Sequence, residues 1–241
     1  DISMEKILVC VPTYNERENI EILCKKIFKI KKKIDLLIID DNSPDDTSGV
    51  VKRLKLKYKN LFLIKRKGKM GIGSALRTGF SFALKNNYNA IITLDADLSH
   101  DPEKIPLFIN KLKRNDFIIG SRYIKGGKSE YKGIRDFLSR SANKLCNLFL
   151  KMPFYEFTTS YRIYNNKCLR ILCKSKFNTE DYSSQIEFFF YIYYSGLKCC
   201  EVPIHFKDRF KGNSKIPKLQ IIYSIFKLIE LCFRRVFLLK K

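Results

Sequence analysis

Asn89-Ala90-Ile91-Ile92-Thr93-Leu94-Asp95-Ala96-Asp97 is an apolar run that stops abruptly in two aspartates separated by one small residue. In an extended chain residues i and i+2 point to the same side, so both carboxylates can aim at one spot. At the tip of a buried strand, unpaired like charges are costly, and a cation is the usual compensation. Two carboxylates with room for water and phosphate suit a hard divalent ion, Mg²⁺ or Mn²⁺. A lone Asp-x-Asp is more often a solvated strand end, so its surroundings decide.

Outward from this run the pattern repeats. Lys6 to Val11 is an apolar run cut off by Pro12 and reads as a buried strand. Glu18 to Ile30 has helical spacing, with Ile20, Leu23, Ile27 and Ile30 on one face. Asp35 to Ile39 is a second strand, ending in the acidic turn Asp40 to Asp46, after which Thr47 or Ser48 suits the cap of a helix reaching about Tyr58. Leu61 to Lys65 is a third strand, Gly68 to Gly73 a loop, and Ser74 to Lys85 a helix. Beyond the paired acids, Glu103 to Lys113 is helical and Phe117 to Gly120 a fifth strand. Strands alternating with helices imply right-handed crossovers and an α/β fold, a mostly parallel sheet flanked by helices. Ligands bind such sheets beyond the carboxyl ends of the strands. Pro12 to Glu16, Asp40-Asp41, Asp95-Ala96-Asp97 and Gly120-Ser121-Arg122 all fall at that edge. Four polar clusters converging there mark a site.

Composition narrows the partners. The 241 residues carry a formal charge of +23, which calls for an anionic partner: nucleic acid, an anionic membrane or a phosphate-bearing substrate. Lys29 and Lys31 to Lys33 read as a solvated patch. The eight cysteines are scattered without Cys-x-x-Cys spacing and there are only two histidines, a pattern that argues against zinc and for free thiols in a reducing compartment. No signal peptide is expected.

After Arg122 the character changes. Ile134 to Met152 is a helix with Arg135, Ser139 and Arg140 near its start. Ser183 to Ser195 is an aromatic-rich helix containing Gln185 and Glu187, and Cys199 to Phe206 reads as a strand before the polar segment Lys207 to Lys215. Residues 1–215 then form one catalytic domain and 216–241 a C-terminal amphipathic helix. Ile216 to Leu239 is apolar, but Lys227, Glu230, Arg234 and Arg235 interrupt it. A central charge costs roughly 3 kcal/mol on insertion while each large apolar residue returns about 0.3 to 0.6, so spanning is not expected. Gln220, Ser224, Lys227, Glu230 and Arg234 instead make one narrow polar stripe. The wide apolar remainder can lie in a membrane interface, helped by Lys240 and Lys241, or pack on the catalytic domain; the sequence leaves both open.

Read together, Pro12-Thr13-Tyr14-Asn15-Glu16-Arg17-Glu18-Asn19-Ile20, Asp40 to Asp45, Asp95-Ala96-Asp97-Leu98-Ser99-His100-Asp101-Pro102 and Gly120-Ser121-Arg122-Tyr123 resemble the family-2 glycosyltransferases of the GT-A (Rossmann-like) fold. Within that family the resemblance is closest to the dolichyl-phosphate mannosyltransferases. Thr159 to Tyr164, Gln185-Ile186-Glu187 and Pro203 to Phe206, with Asp208-Arg209, Gly212 and Ser214-Lys215, carry it onward, so it spans about Lys6 to Lys215. It implies inverting transfer of mannose from GDP-mannose to dolichyl phosphate, making a lipid-linked donor for glycosylation and GPI-anchor synthesis. Under it Pro12, Tyr14 and Glu16 line the nucleotide pocket, Asp41 meets guanine or ribose, and Asp95 and Asp97 hold the metal. Arg122, Arg135, Ser139, Arg209 and Lys215 grip donor or acceptor phosphates, the first three on the acceptor side, with Asp97, Arg122 and Arg135 the catalytic set. Gln185 and Glu187 organise the acceptor side. It places the enzyme on the cytosolic face of the endoplasmic reticulum membrane, held by an interfacial helix, a small membrane-embedded partner subunit, or both.

The chemistry is self-consistent. A divalent ion and cationic side chains can stabilise a leaving nucleoside diphosphate. The acceptor is already an anionic phosphate and needs no general base, so positioning and charge neutralisation carry the reaction. Arginine forks match phosphate geometry. Taken singly, Arg140 and Arg162 read as salt-bridged or surface cations. Gly71 and Gly73 lack the ending of a phosphate loop and read as a close turn beside the nucleotide. Three rivals stand beside this: the same transfer from UDP-glucose, a soluble-polysaccharide transferase with a base carboxylate, and a nucleic-acid-binding protein. The last lacks a recognisable motif and leaves the acidic edge unexplained, so no nucleic-acid partner is expected.

Overall fold

The computed structural model describes residues 6–175, 177, 179–211 and 220–238. Strands β1 (Ile7–Thr13), β2 (Ile34–Asp40), β3 (Leu61–Lys65), β4 (Ala90–Thr93) and β5 (Phe117–Ser121) form where apolar runs predict them. Helices α1 (Arg17–Phe28), α2 (Thr47–Lys57), α3 (Ile72–Lys85) and α4 (Ile105–Lys111) separate them, the last entered through a 3-10 turn at Pro102–Lys104. Further along come β6 (Lys128–Ser129), α5 (Gly133–Leu150), β7 (Arg162–Asn165), α6 (Asn166–Lys174), α7 (Ser184–Tyr194), β8 (Cys199–Pro203), β9 (His205–Phe206) and α8 (Gln220–Leu238).

The main sheet has seven strands in the order β3-β2-β1-β4-β7-β5-β8. Every neighbouring pair is parallel except those made by β7, which runs antiparallel between β4 and β5. Alternate residues of each strand serve opposite faces. Leu8, Cys10, Leu37, Ile39, Ile91 and Ile119 pack with α3, α6 and α7 on one side. Val9, Val11, Leu36, Ile38, Ile92 and Ile118 pack with α1, α2 and α4 on the other. Burial on both faces is why these strands read as unbroken apolar runs.

Four local expectations are revised. The N-cap of α2 is Asp46, whose side chain makes no cap bond; the residue before it, Asp45, accepts the Thr47 amide at 3.0 Å and the Thr47 hydroxyl at 2.6 Å, while Ser48 bonds Asp40 at 2.6 Å. The strand expected over Cys199 to Phe206 is two strands, because Ile204 bonds back to Ser121 (3.0 Å) and β9 leaves to pair with β6. Strand β7 was invisible as an apolar run because it carries Arg162. That arginine is not a surface cation: it is fully buried and donates to the carbonyls of Phe157, Thr159 and Gln185 at 2.6, 2.7 and 2.6 Å. Arg140 does form the exposed salt bridge expected of it, with Asp136 at 2.7 Å.

Helix α8 packs on the domain through Leu228 and Leu231, which are buried in the core. Its polar stripe faces inward. Gln220 donates to Asp181 (3.0 Å), Lys227 pairs with buried Glu187 (3.3 Å) and Arg234 donates to the Tyr191 hydroxyl (2.6 Å). Most of its other apolar residues face outward, with Phe226 67%, Phe233 66% and Phe237 70% exposed. Ile134, Phe137 and Leu148 of adjacent α5 are exposed as well. Among the described residues, no helix is long and apolar enough to cross a membrane.

Candidate active site

A cleft of about 440 Å³ opens at the carboxyl ends of β1, β2 and β4. Pro12, Tyr14 and Glu16 line it from the end of β1 onward, Asp41 after β2, and Asp95 and Asp97 after β4. These clusters meet because parallel strands carry their following loops to one edge.

The paired acids are held by their own loop. Asp95 Oδ1 accepts the Ser160 hydroxyl at 2.5 Å, and Asp97 Oδ1 accepts the Ser99 amide and hydroxyl at 3.1 and 2.6 Å. Among the described residues, Asp95 Oδ2 takes no hydrogen bond and Asp97 Oδ2 takes only Arg209, at 3.1 Å. Burial pushes the Asp95 carboxyl up, and the Asp97 charge adds to that. His100 lies buried beneath, its Nδ1 accepting the Asp95 amide at 3.2 Å and its Nε2 paired with the Thr159 hydroxyl at 3.1 Å. Burial lowers the His100 pKa, and an accepting Nδ1 fixes it as the neutral ring with the proton on Nε2. The 3.6 Å approach of Nδ1 to Asp95 is therefore not an ion pair.

This donor set fits a hard divalent ion. Each acid spends one oxygen on the fold; the second oxygen of Asp95 takes no hydrogen bond among the described residues and that of Asp97 faces only Arg209, an exchangeable cation, and the pair is too poorly solvated to hold two bare charges comfortably. No group of three or more His, Cys, Asp or Glu residues suited to a metal occurs among the described residues. An ion here would accordingly draw its remaining ligands from substrate phosphate and water.

The other expected site residues divide. Arg209 reaches the cleft and bridges Asp97 towards Glu16 Oε1 at 3.8 Å. Arg135 lines the cleft, its guanidinium 4.2 Å from the Tyr131 ring centroid and 3.8 Å from Asp208. Arg122 does not line it. It is buried, its Nε 2.7 Å and Nη2 2.8 Å from the two oxygens of fully buried Glu156, with Tyr123, Tyr131 and Phe206 around it. Ser139, one turn on from Arg135, accepts the Tyr123 hydroxyl at 2.6 Å and also stands outside the cleft lining. Asp41 lines the cleft, but its carboxylate is occupied by Arg66 and by the amides of Met70 and Gly71 at 3.0 and 3.1 Å. Gln185 and Glu187 stand outside the cleft lining: Gln185 is fully buried, with neither side-chain amide atom hydrogen-bonded among the described residues, and Glu187 is paired with Lys227. Lys215 lies outside the described residues.

Several lining residues escaped sequence reasoning. Lys69 sits 4.6 Å from the Tyr14 ring centroid, and Tyr131, Asp181, Tyr182 and Phe206 complete the walls. Burial, with Asp95, Asp97 and Glu16 nearby, raises the Tyr182 phenol, which stays protonated and able to donate. One sequence signal was available: Asp181 stands just ahead of Ser183-Ser184 and an apolar run, the composition of a helix start. Of the two glycines expected in a close turn, Gly71 makes it, just ahead of α3, while Gly73 lies in the first turn of that helix. A Cβ on Gly71 would lie 2.3 Å from the Glu180 carbonyl oxygen, so the turn lets residues 179–182 approach.

The arrangement holds paired acids, cations on two walls and apolar floors, which suits a diphosphate-bearing ligand. Comparisons agree. The chain is 31% identical over 229 residues to the polyprenol monophosphomannose synthase of Mycolicibacterium smegmatis, covering 94% of this chain and 86% of the relative. It is 29% identical over 212 residues to the undecaprenyl-phosphate mannosyltransferase of Micrococcus luteus, covering 88% and 87%. Among solved structures, glucosyl-3-phosphoglycerate synthase from Mycobacterium tuberculosis in complex with UDP superposes with a TM-score of 0.67 at 17% identity, over 95% of this chain and 80% of that one. Mannosyltransferase PcManGT from Pyrobaculum calidifontis, in complex with GDP-Man and Mn²⁺, gives 0.59 at 14%, over 95% and 73%. The mixed α/β sheet is thus the GT-A fold. The profile of Glycosyl transferase family 2 matches residues 8–172, and the chain belongs to that family.

Proposed function

We propose that the protein transfers mannose from GDP-mannose to the phosphate of dolichol, with inversion at the anomeric carbon. The observation that carries this is the pairing of Asp95 and Asp97 with Arg209 in one cleft, with Arg135 on a further wall. Mannose and a polyprenyl phosphate acceptor are supported by the two bacterial relatives, and GDP-mannose with a divalent ion by the Pyrobaculum structure.

Asp95 and Asp97 would hold Mg²⁺ or Mn²⁺, which when bound offsets the charge of the leaving diphosphate. The chain's own groups do the rest. Arg209 and Lys69 offer cations to the diphosphate, and Pro12, Tyr14 and Glu16 shape the nucleotide end. Arg135 addresses the acceptor phosphate, which attacks as an anion without a base. Asp41 acts through Arg66 and the Met70-Gly71 turn. Arg122 and Ser139 support this side from behind, the first as half of a buried ion pair.

The outward apolar faces of α5 and α8, together with the +23 charge, support docking on an anionic membrane surface, where a long-chain acceptor resides. The eight free cysteines fit the cytosolic face of the endoplasmic reticulum. A small membrane-embedded partner subunit could share the same apolar face.

The test is transfer of tritiated sugar to extractable lipid by the purified chain with Mn²⁺. GDP-mannose and UDP-glucose serve as donors, dolichyl and undecaprenyl phosphate as acceptors. Mannosyl lipid from GDP-mannose, faster on dolichyl phosphate and lost with EDTA or Asp97→Asn, is expected. Glucosyl lipid from UDP-glucose, or no lipid product from either donor, overturns the assignment.

A further inference from the structure

Helix α8 does more than cover the domain, because its first residue reaches the active-site wall. Gln220 is buried, and its Nε2 donates to Asp181 Oδ1 at 3.0 Å. That same oxygen accepts the Ser183 amide and hydroxyl, both at 2.6 Å. All three donors fall on one oxygen, and among the described residues Asp181 Oδ2 takes no hydrogen bond. Asp181 lines the cleft together with Asp95 and Asp97. Its carboxyl is pushed up by burial but pulled below the usual range by Gln220 and Ser183, so it stays ionised. From the other side the segment is pinned to the nucleotide edge: Gly73 N donates to the Glu180 carbonyl at 2.8 Å and Arg77 Nη1 to the Thr179 carbonyl at 2.7 Å.

We infer that Gln220 is a positioning residue for the donor sugar: by occupying Oδ1 it turns Oδ2 of Asp181 into the cleft as an acceptor for sugar hydroxyls. The ligand class is the hexose of a nucleotide-sugar, not its base or diphosphate, which the residues from Pro12 to Glu16 and Arg209 address. The inference rests on the donor reading above. A hydrogen bond to an ionised carboxylate is worth enough that its loss is felt in affinity, while the rest of the donor keeps its contacts.

Calorimetric binding of GDP and of GDP-mannose, with Mn²⁺, separates the two parts of the donor. In the wild-type protein GDP-mannose should bind at least as tightly as GDP. Gln220→Leu and Gln220→Met should each weaken GDP-mannose about tenfold and raise its KM more than they lower kcat, with GDP affinity and melting temperature near wild type. Asp181→Asn should reproduce the loss, and Gln220→Leu should add little to it. Unchanged GDP-mannose affinity in the Gln220 variants overturns the inference, and so does an equal loss for GDP, which marks a merely structural role. Failure of the wild-type chain to bind GDP-mannose at all removes the donor reading, and this inference with it.

Discussion

Arg122 and Arg209 look alike in sequence, each followed by an aromatic residue in the basic second half, yet their fates differ. Arg209 meets Asp97 at the cleft. Arg122 is sealed against Glu156, and burial decides its role: a guanidinium that leaves a fully buried carboxylate strands that charge, at about 3 to 5 kcal/mol. For Glu156, burial pushes the pKa up and Arg122 pulls it down, for a net value below the ordinary 4.5. A depressed carboxyl contributes stability that is full above 4.5 and lost as pH falls through its lower folded value. Glu156→Gln should therefore cost about 3 kcal/mol in denaturant unfolding at neutral pH, and the gap to wild type should close on the acid side. A gap of constant size down to strongly acid pH would show that packing, not charge, carries the pair. Asp95 and Asp97 were legible because adjacent residues encode them; the partner of Arg122 lies 34 positions away.

At the level of elements, periodicity located β1 to β5 and the helices between them, since a strand buried on both faces must be apolar throughout, but it missed β6 and α6 and merged β8 with β9. It could not find β7, whose arginine is satisfied by three carbonyls from distant loops. Nor could it orient α8: the polar stripe was visible, but an amphipathic helix normally turns that stripe to solvent. Here it faces Asp181, Glu187 and Tyr191, since those groups need partners. The turn at Gly71 is a second element-level constraint, with φ +85° and the Glu180 carbonyl in the path of any Cβ. Gly71→Ala should destabilise by roughly 2 kcal/mol or more and raise the donor KM by displacing residues 179–182. A variant with wild-type melting temperature and KM would show that the wall can yield without consequence.

At the scale of the whole molecule, α5 and α8 gather exposed aromatic and aliphatic side chains on a strongly cationic protein. Apolar insertion and attraction to anionic lipid reinforce each other, each basic residue near the surface adding about 1 kcal/mol. Co-sedimentation should be strong with phosphatidylserine-containing vesicles, weaker with neutral ones, and should fall as salt is raised. Phe226→Ser with Phe233→Ser should reduce binding at every salt concentration while leaving GDP affinity intact. Equal binding by that variant and the wild type would place the docking surface elsewhere.

The α/β architecture and the edge at which the site lies were legible in the chain, because strand periodicity and the residues following each strand are local properties. The sequence also named the paired acids, since two positions in one extended segment share a direction whatever surrounds them. The tertiary structure alone decided which arginine reaches the cleft, which way α8 turns its polar stripe, and that Asp181 and Tyr182 form a wall. Those outcomes depend on partners distant in the chain, and burial with its demand for satisfied polar groups chooses among candidates that sequence cannot rank.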